Sequence, residues 1–447
     1  MKERFLELSA EADKKQEERF EVWLKGEGIP FADERAQAAY KERVTLLKDA
    51  IQLKHRPARI PVCPSAGFFP MQYAGITMYE AMYDYEALGK AWLAYHLDLE
   101  PDAYNGPTTI VPGRVLDILD LKLYQWPGHG VSHDREYQFV EEEYMKAEEY
   151  QDLIDDPTAY FLNVYFPRIF GALKPLAGFP LLPPVNEIPM VPPLAMAFGN
   201  EDMKKALECL GRAGEEALRW RGALREIGGR IMGKGFPAFS GGFTKAPFDV
   251  LGDSLRGTKG IMLDMFRHPD ELKEACERLI PSMVKCAVAA CRVTGHIMPF
   301  MPLHKGADGF MSQDQFRTFY WPSLRKLIIG LVNEGLVPQL FAEGAYNDRL
   351  EVISDVPRGK VVWWFDRTDM KRAKDTVGRV ACLAGNVPLD LLCAGTPEEV
   401  RAYCRELMDV AGRDGGFILS SGAGLQGSKP ENVKAMIEFS KRYGAYG

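Results

Sequence analysis

Apolar and polar positions alternate along this chain with two different periods. Over residues 1–56 apolar residues recur at helical spacing among charged ones, and the run GEGIP at 26–30 interrupts them. This predicts two helices, an N-terminal extension ahead of the main domain. From residue 57 onward, short runs rich in β-branched and aromatic residues recur at 60–64, 103–106, 236–240, 296–301, 337–341, 360–365, 380–384 and 416–420. Helical patterns separate most of them. Strands alternating with helices imply parallel pairing through crossover connections. Eight such strands predict an α/β fold, a (β/α)8 TIM barrel over residues 57–447. An open doubly wound sheet fits less well, because no Gly-x-Gly-x-x-Gly follows the first strand.

The spacing breaks once, between the second and third strands, where an insertion occupies about 107–235. It carries a hairpin pattern at 122–139, an acidic helical stretch and the proline-rich run GALKPLAGFPLLPPVNEIPMVPP at 171–193. Those prolines exclude regular helix and inner strand. A long ordered loop in a compact domain is typically functional. The apolar content of this one predicts a packed lid over a site rather than a solvated linker.

Composition narrows the function classes. The chain has 447 residues, 46% hydrophobic and 26% charged, with a net charge of −7. No block of lysine and arginine stands out, which argues against nucleic acid and anionic membrane as partners. There is no apolar run long enough to span a bilayer. The opening MKERFLELSA lacks an apolar core, so no secretory signal is expected. Eight scattered cysteines form no C-x-x-C pair, as expected of reduced thiols in a cytoplasmic protein.

In a barrel of this kind chemistry belongs to the C-terminal ends of the strands. The fourth strand runs into His304, Lys305 and Asp308, and the fifth into Glu343 and Tyr346. The sixth runs into Asp366 and Asp369, the seventh into Asn386, and the eighth into Ser420 and Ser421. Asp369 and Ser421 read best as helix caps. His304 reads equally as a structural histidine and as a ligand or acid–base group. Glu343, between Ala342 and Gly344, is expected to be desolvated, which raises a carboxyl pKa unless a cation pairs with it. Trp363 and Trp364 read as one core and one rim residue. His129 and His133 would suit a metal only on a helix, which Gly128 and Gly130 oppose.

Five stretches carry a resemblance. GNVPLDLLCAGTPEEV (385–400), GGFILSSGAG (415–424), KPENVKAMIEF (429–439), MSQDQFRTFYWPSLRKLI (311–328) and the pair Thr368–Asp369 resemble the uroporphyrinogen decarboxylase superfamily. RPARIPV and EAMYDYEAL, nearer the N-terminus, resemble its opening strand and helix more weakly. The resemblance implies a (β/α)8 barrel with an N-terminal helical extension. Decarboxylases of the family grip a tetrapyrrole's carboxylates with arginines in the opening loop. The matching stretch here, VCPSAGFFPMQYAG (62–75), has neither arginine nor lysine. The other branch comprises cobalamin-dependent methyltransferases. Its thiol-methylating members carry His-x-Cys after strand five and a further Cys after strand eight. Here those positions hold Phe341-Ala342-Glu343 and Ala423.

The departure implies an oxygen rather than a sulfur leaving group. The chain resembles the substrate-side methyltransferase of a corrinoid-dependent O-demethylase. Such an enzyme moves methyl from a small methoxylated aromatic, such as guaiacol, vanillate or veratrol, to the Co(I) of the cobalamin on a separate corrinoid protein. On this reading His304, Glu343 and Asp366 are catalytic, and Phe341, Tyr346, Trp364 and Asn386 hold the substrate. Zinc is admissible on His304, Glu343 and Asp366, and a homodimer is compatible. Two rival readings stand beside it. One is a decarboxylase or other small-acid lyase using Arg114, Lys245 or Lys305 as carbanion-stabilising cations, favoured if two of them share the cavity. The other is a non-catalytic cobamide-binding protein, disfavoured because no D-x-H-x-x-G motif occurs.

Overall fold

The computed structural model describes residues 5–107, 109–182 and 185–446. The first four residues of the predicted N-terminal extension, Thr108 of the insertion and Pro183–Pro184 of its proline-rich run lie outside the described residues. Three short strands come first in the chain, β1 (Tyr124–Pro127), β2 (Gly130–Val131) and β3 (Gln138–Phe139), with β1 antiparallel to β3. Six parallel strands follow in spatial order: β4 (Gly242–Phe243), β5 (Pro299–Leu303), β6 (Gln339–Ala342), β7 (Val362–Phe365), β8 (Cys382–Val387) and β9 (Phe417–Ser421). Pro302, Phe341, Trp364, Ala384 and Ile418 fall in one row across them, so their side chains share a face.

The strands predicted at 60–64 and 103–106 are single parallel bridges instead, Val62 to Leu419 and Tyr104 to Ala238. The third begins later than predicted, at Gly242. Prolines explain all three differences: Pro61, Pro64, Pro107 and Pro237 cannot donate to a ladder. Hydrogen bonds nevertheless continue the order. The Asp102 amide donates to Val62 O at 2.8 Å, and the Tyr104 amide to Pro237 O at 2.7 Å.

Two N-terminal helices, Ala12–Lys25 and Glu34–Gln52, close the end where the strands begin. Asp33 accepts the Ala36 amide at the start of the second, the role expected of an N-cap aspartate. Phe20, Trp23, Tyr40, Val44 and Leu47 join one cluster with Phe239, Val337, Val362, Cys382 and Ile418. The Trp23 ring meets His296 edge-on at 4.9 Å, just ahead of β5. Burying each such apolar side chain contributes about 2–3 kcal/mol. Gly235, with φ +93°, passes so close to the second helix that a Cβ would stand 2.7 Å from Ala36 O. The C-terminal strand ends are left free for chemistry.

The insertion divides in two. Leu173 and Leu176 pack with Met203 and Ala206 of the long helix Glu201–Gly233. The helix Val191–Phe198 has no fully buried residue and meets the cluster only through Phe198, and Ile188 and Met196 are 87% and 75% exposed. The predicted packing therefore holds for its first part. The prolines prevent the rest from forming a regular face that could dock. Among the described residues no helix is long and apolar enough to cross a membrane.

One buried carboxylate ties the first two strand segments together. Asp102 accepts two hydrogen bonds from Arg59 at 2.5 and 2.7 Å and one from the Val62 amide at 2.8 Å, with Lys441 at 3.5 Å and Arg43 at 3.8 Å. Burial opposes its charge, but Arg59 and Lys441 outweigh burial and hold its pKa below the ordinary carboxylate range. Asp102→Asn leaves those cations without their partner, and we expect it to cost about 3–5 kcal/mol in denaturant unfolding at pH 7. A carboxylate with a lowered folded pKa stabilises above its unfolded value. The difference between wild type and variant should therefore begin to shrink below about pH 4 and disappear only as pH falls through the lowered folded pKa.

Candidate active site

The segment after β4 reads TKAPFDVLGDSLR (244–256) and turns back beneath the end of β5. Asp249 is fully buried there. Its Oδ2 accepts the His304 amide and its Oδ1 the Lys305 amide, both at 3.0 Å, and Tyr320 Oη donates to Oδ2 at 2.8 Å. One carboxylate thus holds the backbone of the residue pair that ends the strand. Four residues on, Asp253 holds their side chains. Its Oδ2 lies 2.6 Å from His304 Nδ1 and 2.5 Å from Lys245 Nζ, and its Oδ1 lies 3.0 Å from Lys305 Nζ. Lys305 Nζ also donates to Thr258 Oγ1 at 3.0 Å. The other ring nitrogen, His304 Nε2, faces Glu343 Oε1 at 3.5 Å across the ends of β5 and β6.

These contacts set the protonation states. Burial draws the His304 pKa down, but Asp253 and Glu343 raise it further than burial lowers it, to about 10. The ring is an imidazolium at neutral pH. Burial pushes Asp253 up, yet His304 and Lys245 hold it below the usual carboxylate range. Asp249 goes the other way. Burial and the neighbouring Asp253 charge lift it above that range against the pull of His304 and its hydrogen bonds.

Beside this cluster lies an aromatic shelf. Phe243, Phe300, Phe341 and Trp364 form a chain of ring contacts at 6.3, 6.1 and 5.0 Å between centroids. Trp364 is buried, Phe300 and Phe341 are half-buried, and Phe243 is 62% exposed. The insertion reaches the same place. Thr258 N donates to Glu141 Oε1 at 2.7 Å. Tyr124 of β1 has its pKa raised by burial and by the charge of Asp253.

The sequence-predicted residues divide accordingly. His304 and Glu343 meet. Asp366 stands next to them, its Oδ2 accepting the Gly344 amide at 3.0 Å and its pKa raised by burial. Phe341 and Trp364 line the shelf, whereas Trp363 points into the outer packing layer with both indoles buried. Tyr346 is not in the cavity: it is fully buried, and its hydroxyl donates to Leu303 O at 3.3 Å. Asn386 is buried too, with Nδ2 on Thr368 O at 2.8 Å and Oδ1 unpartnered. Glu343 is not desolvated as expected, because 45% of its side chain is exposed; the desolvated carboxyl is Asp249. Asp369 caps the helix Met370–Asp375 by accepting the Lys371 and Arg372 amides. Ser421 caps no helix, and its Oγ accepts the Ser65 amide.

Asp249 and Asp253 were not read from the sequence. Their signal was there: two carboxylates four residues apart in FDVLGD, directly after a strand. Lys245 and Lys305 join them, whereas Arg114 lies 3.6 Å from Glu216, away from this cluster. Among the described residues no group of three or more His, Cys, Asp or Glu side chains is placed to hold a metal ion. His304 and Glu343 supply two donors, while Asp366 is committed to Gly344.

The His304 titration can be read without any substrate. By NMR its imidazole should titrate near pH 10, and in Asp253→Asn well below that, toward the ordinary value of about 6.5. Since the folded pKa is the raised one, stability from this contact is complete below about pH 6.5 and is lost as pH rises through the folded value. An unchanged titration in the variant would refute this assignment of the charge.

The comparisons with known proteins agree with this architecture. Residues 234–443 match the model of the family described as uroporphyrinogen decarboxylase (URO-D). No curated protein matches the chain. Among solved structures, a methyltransferase from Methanosarcina mazei is similar in fold. Its TM-score is 0.57 at 18% identity, over 91% of this chain and 98% of that one. The match covers β4 to β9 and the whole Asp249–His304–Glu343 cluster. Over residues 234–443 this chain is thus similar to the uroporphyrinogen decarboxylase family.

Proposed function

We propose that the chain is the substrate-side methyltransferase of an O-demethylase, built on an eight-stranded (β/α)8 barrel that the Val62 and Tyr104 segments complete. One observation carries the reading: an imidazolium, His304, held by Asp253 and turned toward Glu343 beside an aromatic shelf. A phenolate is a poor leaving group unless its oxygen is protonated or polarised. Phenol oxygens have pKa values near 10, close to that of His304. Proton transfer between them is then nearly balanced, and the acid is fully loaded at neutral pH.

Phe300, Phe341 and Trp364 take the ring of a methoxyarene, and the shelf excludes water from one side of it. The aryl O–CH3 bond breaks, and the departing oxygen takes the Nε2 proton of His304. Asp253 steadies the ring through Nδ1, and Glu343 orients the Nε2 proton. The reduced corrinoid of a separate protein supplies the nucleophile that accepts the methyl group. A catalytic zinc takes three protein ligands. His304 and Glu343 make only two, which does not complete such a site. The opening loop 62–75, free of arginine and lysine, supports a substrate without the carboxylates of a tetrapyrrole.

A second reading has an observation of its own. Lys245 and Lys305 both stand on Asp253 beside His304, which favours a decarboxylase or small-acid lyase with cations for a developing carbanion. Both ammonium groups are already paired with Asp253, which leaves them less charge to offer.

Purified protein, a reduced corrinoid protein and methoxyarenes such as guaiacol test the first reading through methyl–cobalt absorbance. His304→Gln should slow the transfer at least ~100-fold, and Glu343→Gln should also lower it. The rate should be level from neutral to mildly alkaline pH and fall as pH rises through about 10, where His304 loses its proton. Carbon dioxide released from an aromatic acid, with no methyl–cobalt signal from any methoxyarene, would establish the second reading instead. Unchanged transfer in Glu343→Gln would refute the role given to that residue.

A further inference from the structure

At the opposite end of the strands, four connecting segments converge on a cavity of about 400 Å3. They are the segments that lead into Val62, β7, β8 and β9. Each brings a cation or a glycine. Lys54 and Arg56 precede the first, Arg358 precedes β7, Lys374 and Arg379 precede β8, and Gly415–Gly416 precede β9. Five cations thus stand against two carboxylates, Asp375 and Asp414, on a chain whose net charge is −7. The glycines make the convergence close. A Cβ on Gly416 (φ +65°) would stand 2.6 Å from Leu53 Cδ2, and one on Gly415 (φ +79°) 3.4 Å from Arg56 Cγ.

Few of these cations have anionic partners. Lys54 is 3.6 Å from Glu17. Arg358 donates to two carbonyls, Arg379 O at 3.1 Å and Leu53 O at 3.4 Å, and Lys374 to Gly415 O at 2.6 Å. The Arg56 guanidinium lies over the Tyr446 ring at 4.8 Å. Arg56, Arg358, Lys374 and Arg379 have no carboxylate within 4.0 Å among the described residues. Lys374 is partly buried, and burial draws its pKa down further than the nearby Asp414 charge raises it. Carbonyl contacts fix where Arg358 and Lys374 stand and leave their charge unneutralised, an arrangement suited to receiving an anion.

We propose that this cavity binds a small, multiply charged phosphate compound, a diphosphate or a nucleotide polyphosphate. Guanidinium forks match the paired oxygens of such groups. The cavity has the size of a small-ligand site, and its concavity favours a compact anion over an extended acidic polypeptide. The site is independent of the methyl-transfer reading. Because the loops that form it feed the strands whose far ends carry Asp366, Asn386 and Ser421, a bound anion would brace the catalytic rim from behind.

Inorganic pyrophosphate is the probe, titrated calorimetrically into the full chain at constant ionic strength, with poly-glutamate as a second arm. Wild type should bind pyrophosphate saturably, one per chain. Arg358→Gln/Arg379→Gln should bind at least about tenfold more weakly while keeping the wild-type circular dichroism and melting midpoint without ligand. If that double variant fails to fold, Arg56→Gln serves in its place, with the same loss expected. Absence of saturable binding to wild type, or equal affinity in a folded variant, overturns the proposal. Binding of poly-glutamate but not pyrophosphate also overturns it and makes the face a docking surface for acidic protein.

Discussion

The rim at the C-terminal strand ends depends on one buried carboxyl group. Asp249 has no exposed surface, and an ionised group in such a place costs several kcal/mol unless donors surround it. Its three donors are the His304 and Lys305 amides and the Tyr320 hydroxyl. Satisfying Asp249 therefore fixes the last residues of β5 against the segment after β4. With the backbone fixed, the His304 ring can reach only Asp253 on one side and Glu343 on the other. Asp253 in turn collects Lys245 and Lys305. Two neighbouring strand ends, about 5 Å apart by the geometry of a sheet, are joined into one charged unit.

That unit is balanced so that a proton is held where it can be used. Two carboxylates in contact with one imidazole raise its pKa more than burial lowers it. Lys245 keeps Asp253 from taking the proton back by lowering its affinity for it. Glu343 is exposed enough to meet a ligand. The aromatic shelf adds an apolar surface next to a cation, which is the pairing the proposed aryl ether substrate calls for: a ring to be packed and an oxygen to be protonated.

The two ends of the strands have been given different work. At the C-terminal end the N-terminal helices leave the rim free, and the insertion brings Tyr124 and Glu141 to it. At the N-terminal end Phe20 and Trp23 fill the strand interior. Asp102 beneath Arg59 and Lys441 holds together two segments that prolines keep from forming full ladders. The cations around Gly415–Gly416 occupy the same end but remain uncompensated, unlike those around Asp102. A structural cluster consumes its charges internally, and that difference separates the two.

Much of this was legible in the chain alone. Periodicity located the strands that became β5 to β9, because buried parallel strands are apolar runs that nothing else in the sequence imitates. It also placed His304, Glu343 and Asp366 at neighbouring strand ends, since parallel order brings every C-terminal end to one rim. The motifs at 385–400, 415–424 and 429–439 resembled the family whose model matches residues 234–443. Periodicity misjudged burial at single positions. Tyr346 and Glu343 differ by three residues, yet one is sealed beneath the rim and the other half-open, because exposure is decided by what packs from distant segments. It was also blind to Asp249 and Asp253, whose contacts with His304 span more than 50 residues of chain. The sequence by itself determined which elements form and in what order, through local pattern and the sterics of proline and glycine. Only the tertiary structure decided which charges meet, because a hydrogen bond between neighbouring strand ends depends on the path of the whole chain.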